Sequence, residues 1–468
     1  MRRLFLLCLT VLLLPLNFST IASAAPIKAG SICNQEGKQV KNSAGYLECR
    51  NSSNQRLTYV QISATNPTIV NQESPKPFQY CRVPDQRTSK VSGEAIAYPV
   101  TQSALPNEGE INVAFIPIDF PDVVGKGSPS SIYAPEIPKI KEWLAWYSNN
   151  KVSYKFQTYD KWLRAPLTSE NYDWFHPSPG STSPKPNQTS EIARDLMKVG
   201  QDKFDYTGLQ VVFFIFPKEI SKIKDSMTGT GPVLTNKGQL YLGIYGTSSW
   251  LYGNKYPIWS WFLHETMHAH GIAQHAPAYP HQFSLGHNQS GLGLNQNAWD
   301  SMSLGWTKPG DIYCQDITDL KSDLVTLVPI EREQSGFRSI MIKIAPSKVL
   351  VIESHRRDKW GISFKPGFYG VTTYLVDTRF NTDRSGESTD DDGKGTKYTR
   401  AANYIKLSNV KHGNYIHQQF VNGVGVMGYS WELDYVMYSG ESLVTNGVKI
   451  SLVKSDNNDT VKIEKASN

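Results

Sequence analysis

Beyond residue 24 the 468-residue sequence has no apolar run long enough to cross a bilayer, so no helical membrane span is expected in the body of the chain. Charge is sparse as well. Asp, Glu, Lys and Arg make up 19% of the residues, and 48 basic against 42 acidic side chains leave a net charge of only +6. These charges are scattered, so neither nucleic acid nor an anionic membrane is expected as a partner. Cysteine is scarce at five residues, and histidine is little commoner at ten. No internal repeat stands out. What remains is a chain with 39% hydrophobic and 11% aromatic residues, enough for folded units. Its length calls for two or three of them.

The first residues read as an export signal. Arg2 and Arg3 precede an apolar stretch from Leu4 to Leu16, and Ala22-Ser23-Ala24 forms a small-x-small cleavage pattern. The stretch is short for a membrane anchor, and Cys8 lies inside it, so no lipid-attachment cysteine follows. The mature chain is expected to start near Ala25, to be secreted and soluble, and to keep four cysteines: Cys33, Cys49, Cys81 and Cys314. An even number in an exported chain favours disulfides. Cys33 with Cys49 is the simplest pair, which leaves Cys81 for Cys314. A second reading of Cys81 stays open. "CRVPD" is similar to the propeptide segment of matrix metallopeptidases, in which a thiolate caps the metal.

Composition divides the rest of the chain. Residues 25–65 read as a small module stapled by one disulfide, a sensible device for so small a core. This module resembles small cysteine-bearing modules of exported actinobacterial proteins. Residues 66–107, rich in Pro, Ser, Asn and Thr, read as a linker, a pro-segment or irregular wrapping. Residues 108–310 alternate strand and helix patterns. Buried strands are expected at Ile111–Asp122 and Leu209–Pro217, and β-type segments between Ser153 and Trp162. A sheet-edge strand is expected at Gly238–Gly246, and helices from about Pro138 to Tyr147 and from Ser190. A further helix is expected from Pro257 to His270, with Pro257 suiting its first turn and Gly271 the turn that ends it. Residues 311–468 carry β-rich runs such as "RSIMIKI" and "KVLVIES", which predict a sandwich-like unit. The fold class expected is therefore α+β.

The chemistry concentrates in His264-Glu265-Thr266-Met267-His268. On a helix, residues four apart stand on one face a turn apart, so the two imidazoles can share one Zn²⁺ ion. Zinc lowers the pKa of water to about 7, which lets the neighbouring carboxylate of Glu265 take up its proton at neutral pH. The plainer alternative is a half-buried helix with two hydrogen-bonded histidines. A third ligand is needed, and the metzincin pattern His-Glu-x-x-His-x-x-Gly-x-x-His would place it at residue 274, here glutamine. His275, one residue later, is the better donor.

At this point the sequence resembles the secreted immune-inhibitor-A-like metallopeptidases, which share the histidine pair and the glycine. Their third ligand falls one residue beyond the metzincin position and is usually glutamate, and His275 occupies that place. "IPIDFPD" is similar to the family's opening strand, "NAWDSMSLGW" to its Trp-Asp-x-Met-x segment, and "VTLVPIE" and "VLVIESHR" to later strands. The resemblance spans roughly residues 95 to 465, patchily. It implies a zincin- or metzincin-like catalytic domain of mixed sheet plus active-site helix. It further implies one catalytic Zn²⁺ held by His264, His268 and His275, Glu265 as general base, and Met302 as the Met-turn residue.

The activity expected is hydrolysis of peptide bonds in protein or peptide substrates by a secreted monomer. Two alternatives stay open: a non-catalytic surface or adhesion module that keeps the fold, and a zinc hydrolase acting on cell-wall peptides. His270, His281 and His287 are spare histidines near the motif, and the last two could contact substrate. Asp390 to Asp392 could hold Ca²⁺, but they lack the ligand alternation and terminal glutamate of an EF-hand loop, and a solvated acidic turn is expected instead.

Overall fold

Short β-branched and aromatic runs build the N-terminal module as a three-stranded antiparallel sheet of β1 (Gln39–Asn42), β2 (Gly45–Asn51) and β3 (Leu57–Ile62). Cys49 stands opposite Tyr59 in the β2–β3 register, and a Cys33–Cys49 disulfide closes a core of Cys33, Leu47, Cys49 and Tyr59. The computed structural model describes residues 28, 31–33, 39–42, 45–51, 57–62, 73–88, 93–100, 103–174, 189–254, 257–273, 276, 297–356, 360, 370–381, 389–391, 397–399, 404–410 and 435–467. The expected export signal lies outside the described residues.

The central unit grows around β4 (Gly109–Asp119), whose side chains are apolar on both faces. Helices α1 (Ser130–Tyr133) and α2 (Glu136–Tyr147) follow, then β5 (Val152–Thr158), β6 (Leu163–Arg164) and α3 (Thr189–Gly200). Next come β7 (Val211–Ile215), β8 (Met227–Thr235), β9 (Gly238–Gly246), α4 (Ser249–Gly253) and α5 (Ile258–Ala269). The sheet order is β5-β4-β7-β9-β8, with β6 also on β4, and every pairing is parallel except β8 with β9. A parallel sheet needs cover on both faces. On one face Val113, Phe115 and Phe213 pack with Trp261 and Phe262 of α5 and Trp143 of α2. On the other, Ile116, Val212, Phe214 and Ile244 pack with Ile192 and Leu196 of α3. The edge expected at Gly238–Gly246 belongs instead to β8. β9 is inside the sheet because β8 pairs along its whole outer side.

The C-terminal part begins after the short helix α6 (Ala298–Ser303). Strands β10 (Ile312–Asp316), β11 (Ser322–Leu327), β12 (Ser339–Ala345), β13 (Lys348–His355) and β14 (Gly370–Asp377) lead on. They are followed by β15 (Thr389–Asp391), β16 (Lys397–Thr399), β17 (Ile405–Leu407), β18 (Val436–Met437), β19 (Ser442–Thr445), β20 (Val448–Ser455) and β21 (Asp459–Lys465). One sheet runs β10-β12-β13-β14-β17 with β18 on β14, and a second runs β11-β21-β20-β19. Ile340, Ile342, Leu350 and Ile352 of the first share a core with Val325, Ile450, Leu452 and Val461 of the second. The other face of the larger sheet, through Met341, Val349, Val351 and Tyr374, joins the core that holds α5. The molecule is thus mixed α+β, mostly sheet with few helices.

Residues 73–88, 93–100 and 103–107 wrap this assembly. Val83, Ile96, Ala97 and Leu105 are buried in the α5 core, Lys76 bridges to Cys314 in backbone pairing, and Cys81 is disulfide-bonded to Cys314. That bond removes the metal-capping reading of Cys81, because its sulfur is covalently engaged and buried against β10. Among the described residues no helix is long and apolar enough to cross a membrane.

Candidate functional site

The site stands on α5, whose ends are set by its own sequence. Pro257 is the N-cap residue in an extended conformation, so the missing N–H costs nothing there. At the other end the Gly271 N–H bonds the His268 carbonyl and the Ile272 N–H bonds the Met267 carbonyl, each at 3.0 Å. This is a Schellman closure, and Gly271 takes the φ of +112° that it requires. Trp261, Phe262 and Leu263 anchor the helix in the core; Phe262 meets Phe115 and Phe213 at ring-centroid distances of 5.6 and 5.0 Å.

His264, Glu265 and His268 meet at this helix, with one ligand atom from each within 4.8 Å of the others. The two imidazoles lie 5.0 Å apart between centroids and almost perpendicular, at 89°. The His268 Nδ1 is 3.0 Å from the Ile272 carbonyl. A carbonyl can only accept, so Nδ1 carries the proton and the lone pair of the neutral ring falls on Nε2. This carbonyl is exposed to His268 by the same tight turn that Gly271 creates. His264 is buried with 1% of its side chain exposed, and Glu265 retains 11%.

Glu265 is gripped at both ends. The Thr228 hydroxyl on β8 donates to Oε2 at 2.7 Å, and the Tyr245 hydroxyl on β9 donates to its backbone carbonyl at 3.3 Å. Oε1 lies 4.0 Å from the His264 Nε2. Burial pushes the Glu265 carboxyl up from its ordinary range, while His268 and the Thr228 and Trp261 donors pull it back. Two imidazoles a helical turn apart offer nitrogen donors suited to Zn²⁺, with the Glu265 carboxylate beside them. The fit rests on the chemistry of the donors and on the tautomer fixed at His268. Among the described residues it is the one set of three such groups whose ligand atoms all lie within 4.8 Å of one another.

His275 and Gln274 lie outside the described residues, as do His281, His287 and Asp392. His270, read as spare, is buried: its Nδ1 donates to the Asn107 Oδ1 at 3.0 Å, and the Tyr154 hydroxyl donates to Nε2 at 2.9 Å. Burial holds its pKa down to about 3, and with both ring nitrogens engaged by Asn107 and Tyr154 it is a packing element. Met302 is buried within α6 and shares a core with Met267, and its carbonyl accepts the Tyr98 hydroxyl at 2.8 Å. It sits in a helical turn that ends at Gly305 (φ +77°). The run from Thr389 to Asp391 is a strand paired with Lys397–Thr399, not a turn.

α6 is itself held by residues that no sequence motif singles out. The Glu353 Oε2 accepts the Ala298 N–H and the Tyr374 hydroxyl, both at 2.9 Å. Its Oε1 is 3.0 Å from the His355 Nε2, and the His355 Nδ1 is 2.7 Å from Glu331. Burial opposes the charge on His355, but the two carboxylates outweigh it and raise the pKa from 6.5 to about 10. Next to it Arg356 forms a two-pronged pair with Asp459 of β21. From α6, Asp300 accepts the Tyr404 hydroxyl at 3.1 Å. Burial lifts the Asp300 carboxyl to about 7. No protein-family model matches the chain, and no curated protein aligns with it significantly.

Proposed function

We propose that this chain is an exported zinc-dependent endopeptidase of the immune-inhibitor-A-like, metzincin-like kind, with His264, His268 and His275 as metal ligands and Glu265 as general base. One observation carries the reading: two imidazoles and a carboxylate brought within 4.8 Å on one helix, with His268 fixed in the tautomer that presents Nε2. A mixed sheet laid against that helix is the arrangement expected of a zincin-like catalytic domain. Two disulfides agree with an exported chain.

Zinc bound by these residues would supply Lewis acidity at the carbonyl to be cleaved and acidify the attacking water. Glu265 takes the proton from that water on its carboxylate and returns it to the departing amine nitrogen. Partial burial keeps the carboxylate out of bulk water, and the Thr228 hydroxyl fixes which oxygen turns towards the ligands. A binding module would have no use for a base held in this way, which weighs against the non-catalytic alternative.

Metal content and casein hydrolysis test the reading. Wild type is expected to hold one zinc per chain, and Glu265→Ala to keep it while losing about 10²–10⁴-fold in rate. His275→Ala should lose metal, whereas Gln274→Ala should not. A chain without stoichiometric zinc, or one whose Glu265→Ala variant is fully active, overturns the proposal. Activity confined to cell-wall fragments would move the substrate class and leave the metal chemistry in place.

A further inference from the structure

Thr228 and Tyr245 are directly opposed in the antiparallel β8–β9 register, so their side chains leave the sheet on the same face. Both reach Glu265, Thr228 at the carboxylate and Tyr245 at the backbone carbonyl. A single rung of the sheet therefore fixes this residue's main chain and its side chain together. A glutamate on a helix ordinarily has three torsions to settle, and a donor at 2.7 Å on Oε2 removes most of that freedom. Oε1 is left as the oxygen on the His264 side.

We infer that Thr228 is a positioning residue for the reaction proposed above, holding Glu265 through Oε2 so that Oε1 meets the water it deprotonates. The inference rests on that reading. Thr228 itself touches no reacting atom, and its contribution comes from keeping the carboxylate in one orientation throughout turnover. Its place on the edge strand has a consequence for architecture. The strand that borders the site also sets the angle of its base, so β8 and α5 must keep their relative position to within a hydrogen bond.

The experiment compares Thr228→Val, which keeps shape but lacks the hydroxyl, with Thr228→Ser, which keeps the hydroxyl. Zinc content, thermal midpoint, kcat and KM on casein are measured for both, with wild type and Glu265→Ala alongside. Thr228→Val is expected to hold wild-type zinc and lose about 10–100-fold in kcat with KM little changed, the usual scale for a residue that orients another. Thr228→Ser should regain most of the lost rate. If Thr228→Val does not fold, Thr228→Ala takes its place in the same comparison. Wild-type kcat without the hydroxyl, or a serine variant as impaired as the valine one, overturns the inference while leaving the zinc peptidase reading intact. Absence of zinc from wild type, or full activity in Glu265→Ala, overturns both.

Discussion

Gly271 shows how closely one residue can set the geometry of the site. Its φ of +112° lies where side chains are rarely tolerated, and a Cβ there would stand 3.2 Å from the Gly93 carbonyl oxygen. Gly271→Ala is expected to cost about 1–3 kcal/mol, read from urea midpoints. On the proposed zinc reading it should also loosen the Ile272 carbonyl that orients His268, so metal affinity should fall by more than the stability loss alone implies. His355 makes the pH prediction. Its folded pKa is raised from 6.5 to about 10, so its stabilising contribution is complete below pH 6.5 and drains away as pH climbs towards 10. Thermal midpoints are expected to fall across that window, and the fall should be shallower in His355→Gln, which starts from a lower midpoint. An equal slope in both proteins would show that other groups govern the alkaline limit.

Among the elements, α6 depends on a neighbour far away in sequence. Its first N–H is received by Glu353, which also receives Tyr374 and faces His355. Glu353→Ala would leave a buried imidazolium with one carboxylate and a helix end without an acceptor. A loss of about 3–5 kcal/mol is expected in chemical denaturation. The helix carrying the motif was legible in the sequence because Pro257, the apolar run and Gly271 are local signals. The strands β4, β7, β12 and β13 were legible for the same reason, being short dense runs of apolar and β-branched residues. β8 was not, because Gly229, Gly231 and Pro232 dilute its pattern. The cause is tertiary: a Cβ on Gly231 would come within 2.6 Å of the Ser190 hydroxyl, so α3 requires small residues where strand propensity would prefer large ones. Without a visible β8 pattern nothing in the sequence singles out Thr228, and β9 reads as the edge. The His355 cluster escaped because Glu331, Glu353 and Asp459 are scattered in sequence and converge only in the folded chain.

For the molecule as a whole, the wrapping segment and both large units share buried surface. Cys81 and Cys314 are 233 residues apart, and closing so long a loop restricts the unfolded chain strongly. The double variant Cys81→Ser/Cys314→Ser is expected to lose about 2–5 kcal/mol, seen in guanidinium unfolding, with no gain in hydrolysis. A gain would revive the idea of a blocking thiol. Arg356 anchors to Asp459 on the final strand, while the core around α5 draws on Val83, Met341 and Val351. This arrangement also sets a schedule. During synthesis at about 5–20 residues per second, roughly 10–40 s separate the emergence of α5 from that of β21. Throughout that interval the motif exists as sequence without its full surroundings, so the site is among the last parts of the protein to mature.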